Sequence, residues 1–332
     1  MSTPLGIAVS GGPRPSEIIE LVVLAESLGY DSAWIAEGHG GDQFSVLSGC
    51  ALQTSRIRLG TAISSVFVRS IPTIAMAAAT VDDLSHGRFI LGLGSSHRVQ
   101  VVPEHGLEYA KPITRLRESV AIIRQLLATG ATQFDGETVK IENFDLWFQP
   151  RRATLPIYAA AVRPKMMAVC GEIADGIILT RSTLQTGAQA RTQLATGAAL
   201  ADRDPNKIEV TSLLPVAVAE TRAEALNAMR PGLMFYVGFF PRYRQMIADY
   251  GFVEETSAVA DAFAKGERDQ ALRHVTDAMI EASSIAGTPN ECRERIEAYR
   301  ASGIDLPIIS PFARGPDAKA TFEAVIRACA PS

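Results

Sequence analysis

Three short stretches hold the residues whose types and spacing could do chemistry. Glu37-Gly38-His39-Gly40-Gly41-Asp42 crowds two carboxylates and an imidazole into a glycine-rich segment, which suits a flexible ligand edge with acid or base groups at hand. Gly92-Leu93-Gly94-Ser95-Ser96-His97 sets two glycines and two hydroxyls before a histidine, so a flat or phosphorylated ligand could come close to the backbone. Tyr158-Ala159-Ala160-Ala161-Val162-Arg163-Pro164-Lys165-Met166 runs small residues straight into a helix that starts at Pro164. The free N–H groups and dipole of that first turn, with Arg163 and Lys165 beside them, make an anion site whose natural guest is a phosphate. Each stretch also has a plainer reading, a tight strand-to-helix turn or a pair of solvated basic residues.

Other chemistries lack their residues. No HExxH, CxxC or close His/Cys/Asp cluster suggests a metal, and neither GxSxG nor GxxxxGK[ST] occurs. Gly92 and Gly94 lack the third glycine of a dinucleotide fingerprint, and no acidic ribose partner follows in a βαβ context. His86, His105 and His274 fall in turns or on helices, and Asp82, Asp83 and Asp175 read as structural acids.

The elements that must position these residues alternate regularly. Short apolar runs at 5–9, 32–36, 57–63, 89–93, 156–161, 176–180, 208–219 and 306–310 read as eight strands, with helical spacing between them. Ile18, Leu21, Val22 and Ala25 share one helix face, as do Leu116, Val120, Ile123 and Leu127. Residues 130–150 are a mixed stretch of turn and β signals. Residues 221–286 read as a mostly helical insertion after the seventh strand, with aromatics clustered at Phe235, Tyr236, Phe239, Phe240 and Tyr243. Eight βα units with nearly continuous apolar strands predict a single (β/α)8 TIM barrel over residues 1–332. Ligands of such a barrel bind at the carboxyl ends of its strands, where all three stretches fall.

Composition bounds the rest. A chain of 332 residues, 47% hydrophobic and 20% charged, is that of a globular, enzyme-like protein. A net charge of −4 gives no basic field for nucleic acid or an anionic membrane. Four scattered cysteines read as reduced, buried thiols; with no leader-like or membrane-spanning run, the expected location is cytoplasmic.

The run from Arg56 to Ser96, the YAAAVRPKM segment, Gly171-Glu172-Ile173-Ala174-Asp175-Gly176 and Ile285-Ala286-Gly287-Thr288-Pro289 together resemble luciferase-like flavin and deazaflavin oxidoreductases. The resemblance is strongest to the branch that uses the deazaflavin coenzyme F-420, which includes methylene-tetrahydromethanopterin reductases and sugar-phosphate dehydrogenases. It implies a homodimeric (β/α)8 barrel that moves a hydride between coenzyme F-420 and a small organic substrate. It also places a non-proline cis peptide at Ala62-Ile63, behind the cofactor ring, with Gly38, Ser64, Gly94, Ser95 and Ser96 around it. Ala160, Ala161, Val162, Arg163, Pro164, Lys165 and Met166 would hold the cofactor's phosphate. Two departures bear on the substrate. The family's Asp-His pair falls on Glu37-Gly38, leaving His39 one place late, and His97 stands where some members carry a glutamate. His97, aided by Glu37 or His39, is the expected acid/base or hydrogen-bonding group. The same resemblance admits an FMN-dependent monooxygenase fed by a flavin reductase, or a flavin-binding protein without turnover.

Overall fold

A computed structural model describes residues 3–9 and 11–331. The first half runs β1 (Gly6–Val9), α1 (Pro15–Ser27), β2 (Ser32–Ile35), α2 (Gln43–Gln53), β3 (Arg58–Thr61), β4 (Ser64–Ser65), α3 (Ile71–Leu84), β5 (Phe89–Gly94), α4 (Arg98–His105) and α5 (Pro112–Thr129). A hairpin, β6 (Ala131–Asp135) and β7 (Lys140–Asp145), leads to β8 (Ile157–Ala160), α6 (Pro164–Ile173), β9 (Gly176–Thr180), α7 (Thr186–Leu200) and β10 (Glu209–Val218). Five helices follow: α8 (Arg222–Phe239), α9 (Pro241–Asp249), α10 (Val253–Ala264), α11 (Arg268–Arg273) and α12 (Asp277–Ser283). The chain ends with β11 (Ile285–Gly287), α13 (Pro289–Ala301), β12 (Leu306–Pro311) and α14 (Ala318–Ala328).

Strands β1, β2, β3, β5, β8, β9, β10 and β12 pair in parallel in that order, and β10 pairs with both β9 and β12 to close the ring. These are the eight apolar runs of the sequence, so the (β/α)8 barrel stands. The strands are buried on both faces because helices cover the outside and side chains fill the inside. Inside, Ala8, Trp34, Ile90, Tyr158, Ile178, Leu306 and Ile308 form one cluster, while the larger core lies between strands and outer helices. Local signals start the helices. Asp42 accepts the Ser45 N–H, Ser70 accepts the Thr73 N–H, and Thr288 with Glu291 closes a capping box ahead of α13.

Four strands lie outside the eight. The mixed stretch at 130–150 is the antiparallel β6–β7 hairpin. Strand β11 extends the far end of β10, pairing Ile285 with Val216. The predicted third strand, read through to Ile63, stops at Thr61; the chain steps outward and resumes as β4, which pairs Ser64 with Leu93 and Ser65 with Gly94. Helices α8 to α12 occupy the span read as an insertion and share a core of their own, centred on Leu233, Val237, Ile247, Val259 and Met279. All four cysteines are free and buried, and among the described residues no helix is long and apolar enough to cross a membrane.

Candidate functional site

The carboxyl end of β3 is clamped to β5 by one side chain. Thr61 Oγ1 donates to the Gly92 carbonyl at 2.7 Å and accepts the Gly92 N–H at 2.8 Å. A Cβ on Gly92 would stand 1.9 Å from the Thr61 carbonyl oxygen, so only glycine allows this approach. The Ala62–Ile63 peptide that follows is cis, with the Ala62 N–H donated to Ile35 O at 2.8 Å. Beyond it the Val66 N–H donates to Gly94 O at 3.0 Å. A Cβ on Gly94 would meet the Ile63 side chain at 2.8 Å and Ala160 Cβ at 3.3 Å, so Ile63, Gly94 and Ala160 form one apolar floor with a gap at the glycine. Ser95 is buried and its hydroxyl accepts from Tyr109 Oη at 3.4 Å; Ser96 takes φ +52°, turning the chain so that His97 caps α4.

Glu37 is tied into this floor. Its carboxylate accepts from Arg69 Nε at 2.5 Å, the Ser65 N–H at 3.2 Å and Ser64 Oγ at 3.4 Å. Arg69 also pairs with Asp42, the cap of α2. Burial alone would raise the Asp42 carboxyl, but Arg69 and the Ser45 N–H outweigh it and hold Asp42 low. Gln43 completes the tie: Nε2 lies 3.4 Å from Ile63 O, and its buried Oε1 has no partner among the described residues.

The three expected acid/base residues do not converge. His39 has an 80% exposed side chain at the rim, with Nε2 3.3 Å from Glu104 Oε2 on α4, and Gly38 beside it is exposed. His97 turns instead toward the helices after β10, with ring centroids 4.8 Å from Phe240 and 5.0 Å from Tyr243. Burial, and secondarily Arg242, pushes its imidazole down to about 4. His97 is therefore neutral at pH 7, able to donate from one nitrogen and accept at the other.

Around the next strand, β8 ends at Ala160 and the Ala161 N–H donates to Ile178 O at 3.2 Å. Arg163 caps α6 with Pro164 at its first position, and Met166 is buried behind Lys165, which is exposed. Val162 packs toward the core of α8 to α12. The Arg163 guanidinium, read from sequence as free to meet a phosphate, is paired with Asp249 of α9. That partner lies 86 positions away, too remote for local pattern to reveal.

Sequence reasoning passed over Arg181. It follows β9 directly, is 3% exposed, and takes φ +49°. Its guanidinium lies 4.2 Å from the Tyr236 ring centroid, and Nε and Nη1 have no hydrogen-bond partner among the described residues. The signal was available: a charged residue at the carboxyl end of an apolar barrel strand. Gln43 carried no such signal, since a polar residue opening a helix reads as surface.

The profile of the luciferase-like monooxygenases matches residues 2–306. A 5,10-methylenetetrahydromethanopterin reductase of Archaeoglobus fulgidus is 31% identical over 315 residues, covering 93% of each chain. The solved coenzyme F-420-dependent tetrahydromethanopterin reductase of Methanopyrus kandleri superposes with a TM-score of 0.86 at 26% identity, covering 98% of each chain. An F-420-dependent secondary alcohol dehydrogenase, at 20% identity and a TM-score of 0.77, shares the fold.

Proposed function

The chain belongs to the luciferase-like monooxygenase family and is an oxidoreductase, and from that premise we propose that it exchanges hydride between coenzyme F-420 and a small organic substrate. The observation that carries this reading is the whole-length correspondence with F-420-dependent reductases, with every barrel element in place.

The residues at the mouth suit such a cofactor. The floor of Ile63, Gly94 and Ala160 is apolar, and the missing side chain at Gly94 leaves a space for a planar ring that any Cβ there would occupy. Ala62, Ser64, Ser95 and Ser96 adjoin that floor in sequence, and Gly38 lies exposed toward the rim. Of residues 161–166, the Ala161 and Met166 N–H groups are already donated to Ile178 O and Arg163 O, so Val162, Arg163 and Lys165 are the N–H groups left for a phosphate, with the Lys165 charge beside them. When bound, a deazaflavin supplies a carbon centre that gives or takes hydride and does not activate oxygen.

The chain's own residues do the rest. The floor shields one ring face from water, and the Glu37–Arg69–Asp42 tie holds that floor in register. Glu37 is thus a positioning residue in this reading. The neutral His97 imidazole, set among Phe240 and Tyr243, orients substrate by hydrogen bonding and can hold one proton at a ring nitrogen. His39, at the rim with Glu104, takes no part in the proposed chemistry.

The test is titration of the purified protein with oxidised coenzyme F-420 and, separately, with FMN, following fluorescence and thermal stability. F-420 should bind and raise the melting temperature, and methylenetetrahydromethanopterin, the substrate named for the relatives, is the first to assay. Tight FMN binding with no F-420 response would replace this reading with a monooxygenase served by a flavin reductase. Cofactor binding without redox change across a substrate panel would leave a binding protein.

A further inference from the structure

Arg181 is a buried cation without a counter-charge. It makes no salt bridge among the described residues, and its Nε and Nη1 donate to nothing. A buried guanidinium is costly unless paired, and its five N–H donors select oxyanions. The electron-rich Tyr236 face, 4.2 Å from the guanidinium carbon, offsets part of that cost but accepts no in-plane hydrogen bond.

Its place in the barrel indicates which molecule would supply the oxyanion. Going round the ring from β3, which bears the Ala62–Ile63 turn, β9 is the third strand and adjoins β8, whose Ala160 belongs to the floor. A ring resting on the Ile63–Gly94–Ala160 floor would have Arg181, at the end of the neighbouring strand, beside it at the mouth. Arg181 is also linked to His97 through a chain of aromatic contacts: the Tyr236 and Tyr243 rings meet edge-on with centroids 5.0 Å apart, and Tyr243 lies tilted 5.0 Å from His97. The α6 turn expected to take the cofactor's phosphate belongs to β8, and its arginine is already paired with Asp249.

We propose that Arg181 is the substrate-recognition residue of this site, and that the substrate carries an oxyanion, a carboxylate or a phosphate, which the free guanidinium N–H groups bind while Tyr236 and Tyr243 pack against its body. The inference rests on the hydride-exchange reading above and narrows its substrate class to anions.

Three small probes test it on the full chain: benzoate, phenyl phosphate and the neutral benzamide, each titrated calorimetrically with and without coenzyme F-420. Wild-type protein should bind at least one anion about ten-fold or more tighter than benzamide, as a charge-assisted pair requires. Which anion is preferred separates carboxylate from phosphate. Arg181→Met should abolish the preference, and Arg181→Lys should keep part of it, with F-420 affinity retained in both. Should Arg181→Met fail to fold, the Arg181 Nε–H resonance of labelled wild type decides: it should move with the preferred anion and stay still with benzamide. Equal binding of anion and amide by wild type, or a preference that survives Arg181→Met, overturns the proposal. So does loss of F-420 binding in Arg181→Met, which would give the arginine to the cofactor's own anionic tail. If wild type discriminates anions through Arg181 but never binds F-420, the hydride-exchange reading fails while the anion site stands.

Discussion

His97 and Glu37 both border the mouth, yet their surroundings set them different work. Burial depresses the His97 imidazole to about 4, so the folded protein resists a proton that the unfolded chain takes near the ordinary value of 6.5. Above that value His97 contributes nothing to pH dependence. As pH falls from about 6.5 to about 4 the unfolded state gains the proton first and stability declines. Urea denaturation across that window should show this slope in wild type and a flatter one in His97→Gln; an NMR midpoint for His97 above 6 would contradict it. Glu37 is held by Arg69 and the Ser65 N–H. Glu37→Gln should cost about 1–3 kcal/mol in chemical denaturation, because Arg69 loses one of its two carboxylates in a partly buried setting. Under the proposed function the same variant should weaken F-420 binding by loosening the floor.

Among the elements, the junction of β3, β4 and β5 is the most tightly specified. Gly92 and Gly94 both leave room for something, but not for the same thing. A Cβ at Gly92 would collide with backbone, the Thr61 carbonyl, which cannot move without parting two barrel strands. Gly92→Ala should therefore cost more than about 3 kcal/mol or prevent folding. A Cβ at Gly94 would meet side-chain atoms, Cγ1 and Cδ1 of Ile63, which can shift where backbone cannot, so Gly94→Ala should cost only about 1–2 kcal/mol. The second variant should nonetheless lose cofactor affinity, since the displaced Ile63 rises into the floor. Melting curves for the pair check the contrast, and equal losses would refute it. At α13, Thr288→Ala should cost about 1 kcal/mol by removing its capping box.

At the scale of the whole molecule, the barrel and the α8–α12 helices keep separate apolar cores. Separate cores open separately. Hydrogen exchange should release amides of α9 and α11 well before those of β2, β5 and β12, and binding of an oxyanion at Arg181 should slow exchange in α8 and α9 in particular. The homodimer implied by the family resemblance is checked by light scattering, which should return twice the 35.6 kDa chain mass. That measurement bears on assembly alone.

Much of the fold was legible because its signals are local. Alternating apolar runs and helical faces, the Thr288–Glu291 box and the small residues at strand ends all act within a few positions, and they led directly to an eight-stranded barrel with ligands at its carboxyl ends. The step at Ala62–Ile63 was legible only through family resemblance, since an alanine and an isoleucine inside an apolar run look like more strand. What each polar group does was decided by tertiary structure. Arg163 reads as a free phosphate ligand until α9 brings Asp249 to it; His97 reads as a titrating base until Phe240 and Tyr243 exclude water from it. Arg181, which drew no reading from the sequence, is buried without a partner by helices remote along the chain. Chain pattern sets which elements form and which way they face, but a charge is governed by whatever lies within a few ångströms of it, and closing the barrel mouth determines those neighbours.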